Sequence, residues 1–217
     1  MIKLSNLTYQ YGENLIFNHA SINLDPKEII WLQGNNGSGK TTFFRLLSGL
    51  KKVTNNNEGR MEGFIDDQPI VQENLKHFIT FIPETPYLFD YISGAENVDY
   101  LVNLFHLEDD YPKIQKNIQE YEIEKILNQQ VIYYSLGMKA KLFLSVLLAK
   151  KATLILIDEL LATIDTSAQI KTFDLFKEVI MNQNTTILFT SHTELYFSHE
   201  VIIKKMNINQ QKLEMIK

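Results

Sequence analysis

No cysteine occurs among the 217 residues, which removes disulfides, thiolate metal sites and a cysteine nucleophile together. Long apolar runs are also missing. The longest, residues 142–149 and 154–157, fall far short of the ~18–20 residues a helix needs to cross a bilayer. The opening MIKLSNLTYQYGENLIF has no basic start, apolar core or small-residue cleavage site of an export signal. There is no basic surplus either: 21 Lys and Arg face 26 Asp and Glu, a formal net charge of −5. That balance argues against a nucleic-acid partner gripped through a broad basic face. A cytosolic protein is expected, one that can still sit on a membrane by docking to a membrane-embedded partner.

What is present is the composition of a folded domain, 45 % apolar and 22 % charged, with length ample for a buried core. Residues 2–9, 20–24 and 28–33 read as strands, with Asp25-Pro26-Lys27 as turn chemistry before the third. A glycine-rich stretch leads into TTFFRLLSGL, a buried helix, and residues 51–59 form a polar loop that includes the Asn55-Asn56-Asn57 run. Residues 60–66 and 77–82 look like strands. Between about 83 and 134 the composition turns polar-amphipathic and helical, as an insertion. An α/β pattern then resumes, with a helix over 138–150, a strand over 153–157, a helix over 166–181 and a strand over 185–190. A hairpin about residues 207–211 closes the chain. The fold class expected is α/β.

The strongest chemical signal is GNNGSGKT, residues 34–41, with Gly34, Gly39, Lys40 and Thr41 spaced as G-x-x-x-x-G-K-[ST] between a strand and a helix. Glycines let backbone N–H groups curl around phosphate oxygens, and the helix N-terminus adds its positive dipole end. Lys40 brings a point charge to the β- and γ-phosphates, and the Thr41 hydroxyl can complete the coordination of Mg²⁺. The second signal is LILIDE, residues 154–159. A fully apolar strand ends in two carboxylates at the edge where α/β sheets bind ligands. Asp158 is the candidate Mg²⁺ ligand and Glu159 the candidate general base for an attacking water. The third is TTILFTSH, residues 185–192, which puts His192 at the same edge. No other histidine or acid stands at metal-ligand spacing from it, so a zinc site is not expected.

Taken in order, YQYG, GNNGSGKTT, FIPETP, YSLGMK, LILIDE, ATID and TSH resemble the A-loop, Walker A, Q-loop, signature, Walker B, D-loop and H-loop of the ATP-binding subunits of ABC transporters. The resemblance covers essentially the whole chain, residues 1–217 as a single domain. It implies a P-loop NTPase core of mainly parallel sheet, an antiparallel β subdomain and an inserted α-helical subdomain at about 83–134. By the same match the ATP site is Tyr11 (Tyr9 the weaker alternative) on adenine, then Gly34, Asn35, Asn36, Gly37, Ser38, Gly39, Lys40, Thr41 and Thr42. His192 becomes the switch histidine near the γ-phosphate and a catalytic residue with Glu159 and Lys40. Glu84 joins Thr41 and Asp158 at the metal, and Asp165 is the D-loop aspartate. Ser135 and Gly137 would act in trans, across a dimer that sandwiches two nucleotides.

Three motifs depart from that pattern: Glu84 stands for glutamine, Tyr134-Ser135-Leu136-Gly137-Met138 for the usual LSGGQ, and Leu160 for proline. The YSLGMK form is similar to subfamilies that handle bacteriocins and other small antimicrobial compounds. The implied protein binds and hydrolyses ATP with Mg²⁺. It pairs with a copy of itself or a paralogue, contacts integral membrane subunits, and sits peripherally on the inner membrane face. The alternatives are a soluble regulator built on the same cassette and a binding-only module without turnover. Asp66-Asp67 and Asp109-Asp110 read as solvated loop acids. The run Tyr87 to Tyr91 reads either as loop packing or as an apolar docking patch.

Overall fold

The computed structural model describes residues 1–53 and 59–216. The polar loop expected at 51–59, with its asparagine run, therefore lies mostly outside the described residues. Strands β1 (Ile2–Tyr11), β2 (Asn14–Leu24), β4 (Gly59–Ile65) and β5 (Gln68–Pro69) form an antiparallel sheet in the order β2-β1-β4-β5. In β1 the buried side is Ile2 and Leu4, then Leu7 and Tyr9. The change from even to odd positions coincides with an irregular register between Leu4 and Leu7, since one extra residue turns later side chains to the other face.

Strand β2 begins at Asn14, six residues earlier than residue 20, where the hydrophobic pattern alone starts it. The cause is the hairpin. Gly12 takes a left-handed φ of 56°, which a tight turn requires and glycine accepts without strain, so Tyr11 pairs directly with Asn14.

The second sheet has six strands in the order β10-β9-β3-β8-β7-β6. These are β3 (Ile29–Gln33), β6 (Ile79–Ile82), β7 (Leu154–Ile157), β8 (Thr186–Phe189), β9 (Ile203–Asn209) and β10 (Lys212–Ile216). All pairings are parallel except β9 with β10. The strand expected from residue 77 starts at Ile79, where pairing with Leu154 begins. The residues before it form a short helix, α2 (Leu75–Phe78).

Every side chain of β7 is buried, and its two faces serve different cores. Leu154 and Leu156 pack with α1 (Lys40–Leu47) and the antiparallel sheet. Ile155 and Ile157 pack with the helical side. Helix α1 is held between the two sheets by Phe43, Phe44, Leu46 and Leu47, each buried side chain contributing about 1.5–3 kcal/mol.

The helical side comprises α3 (Gly94–Phe105), α4 (Tyr111–Glu120), α5 (Leu136–Leu147) and α6 (Thr166–Gln183). A capping box of Ser93 and Glu96 starts α3. Helix α5 begins at Leu136, before the expected residue 138, because Ser135 supplies its N-cap.

The register decides where the site sits. Ile82, Ile157, Phe189 and Trp31 lie side by side across four parallel strands. The loops that leave β3, β6, β7 and β8 therefore emerge along one edge.

Candidate active site

The loop after β3 is shaped by glycines at two points. A β-carbon on Gly34 would lie 2.6 Å from Ser38 Oγ, and one on Gly39 would lie 2.7 Å from Ile16 Cγ2. Gly39 is also the N-cap of α1, at φ 105°, and no side chain caps the helix. The first N–H groups of α1 therefore face outward without a side-chain acceptor, an arrangement that favours an anion. Lys40 is only 8 % exposed. Its Nζ donates to Gly34 O at 2.9 Å and to Asn35 O at 3.5 Å, so the loop's own carbonyls hold the ammonium in place. Asn35, Asn36, Gly37 and Thr41 are exposed, while Ser38 and Thr42 are half-buried.

The ends of β7 and β8 form the opposing wall. Asp158 is 5 % exposed and accepts a hydrogen bond from Thr190 Oγ1 at 2.9 Å. The same hydroxyl oxygen accepts from Glu159 N–H at 3.0 Å. One buried threonine thus orients both carboxylate residues. Glu159 has φ 56°, a left-handed conformation that costs a non-glycine residue on the order of 1–3 kcal/mol. It turns the side chain toward His192, whose backbone N–H donates to Glu159 Oε2 at 2.8 Å. His192 Nε2 lies 3.3 Å from Glu159 Oε1. This approach is off the hydrogen-bonding direction, and the buried Oε1 has no hydrogen-bond partner among the described residues. An acceptor oxygen left over in this way suits a base that takes a proton from water.

Tyr11, Lys40, Thr41, Thr42, Glu159 and His192 line one cleft of about 390 Å³, together with Asn36, Gly37 and Gly39, within the usual range for a small-molecule site. Of the two tyrosines considered for adenine, Tyr9 is buried and Tyr11 is exposed at the cleft. Tyr11 meets Tyr9 edge-on at 5.1 Å, and Lys51 Nζ stands 4.2 Å from the Tyr11 ring centroid. Burial pushes the Tyr11 phenol up, but hydrogen bonding to Thr42 and Lys51 and the Lys51 charge outweigh it and leave the phenol below its ordinary range.

Other expected site residues stand apart from the cleft. Glu84 is exposed just beyond β6 and does not line it. Ser135 caps α5, its Oγ accepting from Met138 N–H at 3.2 Å. Gly137 presses on the turn before α6, where a β-carbon would come within 2.9 Å of Thr163 O. Asp165 caps α6 through Ala168 N–H and pairs with Lys141 at 2.6 Å, and these contacts hold its carboxyl below the ordinary range. Thr190 and Lys51 were not picked out by sequence reasoning. Thr190 leaves a faint trace, a hydroxyl residue ending an apolar strand beside two acids. Lys51 leaves none.

Among the described residues, no three His, Cys, Asp or Glu side chains gather as a metal cage. Thr41 and Asp158 supply oxygen ligands of the kind Mg²⁺ takes when phosphates complete its shell, so the residues present fit that cation.

The sequence profile described as ABC transporter matches residues 17–162. The uncharacterized ABC transporter ATP-binding protein YdbJ of Bacillus subtilis is 27 % identical over 192 residues, covering 88 % of this chain and 61 % of that protein. The phosphonates import ATP-binding protein PhnC of Fusobacterium nucleatum is 27 % identical over 208 residues, covering 88 % of this chain and 82 % of that protein. The SkfA peptide export ATP-binding protein SkfE of Bacillus subtilis is 27 % identical, covering 73 % of this chain and 65 % of that protein. The chain thus spans about 61 % of the first of these relatives. Among solved structures, an ATP-binding subunit of an ABC transporter superposes with a TM-score of 0.83 at 19 % identity, covering 100 % of this chain and 90 % of that one. The cassette MJ0796, in a dimeric post-hydrolysis state bound to ADP and Pi, superposes with a TM-score of 0.76 at 20 % identity, covering 100 % and 99 %. At those identities the likeness shows the fold.

Proposed function

The chain belongs to the ABC transporter family, and on that premise we propose that it hydrolyses ATP to ADP and phosphate to drive a transporter with separate membrane-spanning subunits. The observation that carries this reading is the meeting, in one cleft, of the uncapped start of α1 and Lys40 with Glu159 and His192. The loop amides and Lys40 hold the β- and γ-phosphates, and Tyr11 packs on adenine. Thr41 and Asp158 would hold Mg²⁺, which would neutralise charge on the phosphates. Glu159 accepts the proton of the attacking water, and His192 contacts the γ-phosphate.

In the proposed dimer, with a copy or a paralogue, Ser135 and Gly137 of one subunit cover the γ-phosphate held by the other. Asp165 lies at the junction, and Glu84 takes part when the loop after β6 closes in. Loss of the γ-phosphate removes the bridge and opens the pair. The helical segment at 83–134 acts as a subdomain inserted in the cassette. Its exposed Tyr87, Phe89 and Tyr91 are proposed to dock to the membrane partner, which would keep the chain at the cytoplasmic face of the membrane. The finer proposal is a subunit that serves bacteriocins or other small antimicrobial compounds, supported by the signature form Ser135-Leu136-Gly137-Met138.

Glu159→Gln tests the reading. Mg-ATP binding by calorimetry should stay within about threefold of the parent, while phosphate release falls by about 10²–10⁴, the usual worth of a general base. The nucleotide-bound dimer should live longer. Hydrolysis at the parent's rate would overturn the base assignment. A second reading, nucleotide binding without turnover, is favoured by the exposed Leu136 and by Met138 in the signature. A parent chain that binds Mg-ATP and releases no phosphate would establish it.

A further inference from the structure

Gln169 lies one turn into α6, five residues after Ile164 and 27 before Tyr196, and touches both loops of the catalytic wall. It is 7 % exposed. Its Nε2 donates to Leu161 O at 3.1 Å and to Ile164 O at 3.2 Å, and its Oε1 accepts from Tyr196 N–H at 3.0 Å. Leu161 and Ile164 belong to the turn that follows Glu159. Tyr196 belongs to the irregular segment that follows His192.

A buried amide that only filled space would be replaceable by an apolar side chain at no loss, because burial of a polar group costs free energy unless it is hydrogen-bonded. Here three bonds are made, and only a side chain that both donates and accepts can make all of them. Among the described residues, the β7 and β8 ends are also joined by Thr190, which donates to Asp158 Oδ1 and Ile157 O and accepts from Glu159 N–H, and beyond the strands by His192 N–H donating to Glu159 Oε2. The bond from His192 uses the carboxylate proposed to react, so it must loosen when Glu159 turns to water. Gln169 binds backbone on both sides and uses no reacting group.

We propose that Gln169 is a positioning residue for hydrolysis. It sets the spacing of Glu159 and His192 by tying the backbone after each to one amide anchored on α6. When the Glu159–His192 contact is exchanged for contacts to water and γ-phosphate, this tie keeps the two loops at a fixed separation. Reacting groups displaced by about 1 Å lose on the order of 10²-fold in rate. The proposal rests on the ATPase reading above.

Gln169→Met keeps the length of the side chain and removes all three bonds. Its kcat for phosphate release should fall at least tenfold. KM and the calorimetric Kd for Mg-ATP should stay within threefold, because the Lys40 loop is untouched. In the nucleotide-free chain, the Tyr196 amide should exchange hydrogen faster than in the parent. Gln169→Glu, which still accepts from Tyr196 but sets a carboxylate against two carbonyls, should lose kcat with the same unchanged Kd. If both variants keep kcat within twofold of an active parent, the tie is overturned and the ATPase reading stands. An equal fall in nucleotide affinity also overturns the tie, because it marks a general loss of structure. A parent without phosphate release overturns both readings together.

Discussion

Helices α1 and α5 both begin at segments read as phosphate sites, and they begin in opposite ways. Helix α1 starts from Gly39 in a left-handed conformation with no side-chain cap. Helix α5 starts from Ser135 in an extended conformation, with a reciprocal cap: Ser135 Oγ accepts from Met138 N–H, and Ser135 N–H donates to Met138 Sδ. The first end leaves amide donors unmet and faces a cleft built by its own chain. The second is complete as a helix end and faces outward, with Ser135 and Leu136 exposed.

An uncapped terminus weakens a helix, so α1 depends on Phe43, Phe44, Leu46 and Leu47 packed between the sheets. Helix α5 needs no ligand to be whole. Its Ser135 hydroxyl, already accepting one bond, still has its own hydrogen to donate. The contrast separates a site whose donors await an anion from a surface that meets one only when another molecule brings it.

The largest test of that contrast is Lys40→Ala. The substitution removes a charged donor beside unmet amides, so Mg-ATP affinity should fall at least 30-fold, about 2 kcal/mol or more. The melting temperature of the nucleotide-free chain should change little. Calorimetry and thermal unfolding on the same preparation measure both. An affinity loss under threefold would break the comparison, because the start of α1 would then be no better an anion site than that of α5.

Ser135→Ala should give the reverse pattern at a smaller scale. Loss of an N-cap costs about 1 kcal/mol, which for a chain this long lowers the melting temperature by about 2–4 °C. Mg-ATP binding to the single subunit should be unchanged. Dimer formation in Mg-ATP on a Glu159→Gln background, read by ultracentrifugation, should weaken. A drop in single-subunit affinity would place Ser135 in its own chain's cleft and remove the reason for a trans role.

The two helix ends also differ in how far they could be read in advance. The Lys40 loop was legible because its requirements are local: eight consecutive residues specify the glycines, the lysine and the hydroxyl. The unbroken apolar run of β7, and the carboxylates that follow it, are legible for the same reason; the division of its two faces between separate cores is not. The early start of β2 was hidden because it follows from the Gly12 turn and from pairing with β1, not from hydrophobic pattern. The start of α5 was placed late, since Ser135 and Met138 cap each other across a stretch with no helical periodicity before it.

Hydrogen bonds between distant segments were the least legible. Thr190 joins Asp158 and Glu159 across 31 or 32 positions, and Gln169 reaches Tyr196 across 27. The letters leave only a faint trace of Thr190, a hydroxyl ending an apolar strand, and none of Gln169. Glu84 is the converse case: its place in the order of motifs is plain in the sequence, while its side chain stands exposed just beyond β6 and is not among the residues lining the cleft.

Met138→Gln is the smallest effect and bears most directly on what the cap of α5 is for. Met138 Sδ lies 3.5 Å from Ser135 N, and a thioether is a weak acceptor. A glutamine oxygen would complete the capping box and stabilise the helix start by a few tenths of a kcal/mol. Met138 is also partly buried against the larger core cluster, so the swap gives up some apolar contact of similar worth. The two changes nearly offset, and stability should move by less than about 0.5 kcal/mol, or under about 2 °C. The dimer should respond more. An amide adds a donor on the outward side of the helix start, and one such bond to a phosphate contributes about 0.5–1 kcal/mol. The dimerisation constant in Mg-ATP, again on the Glu159→Gln background, should therefore rise about two- to fivefold. If the melting temperature climbed by several degrees and the dimer did not tighten, the start of α5 would matter to helix stability alone. The contrast with α1 would then be a difference between two caps, not between two ways of holding a phosphate.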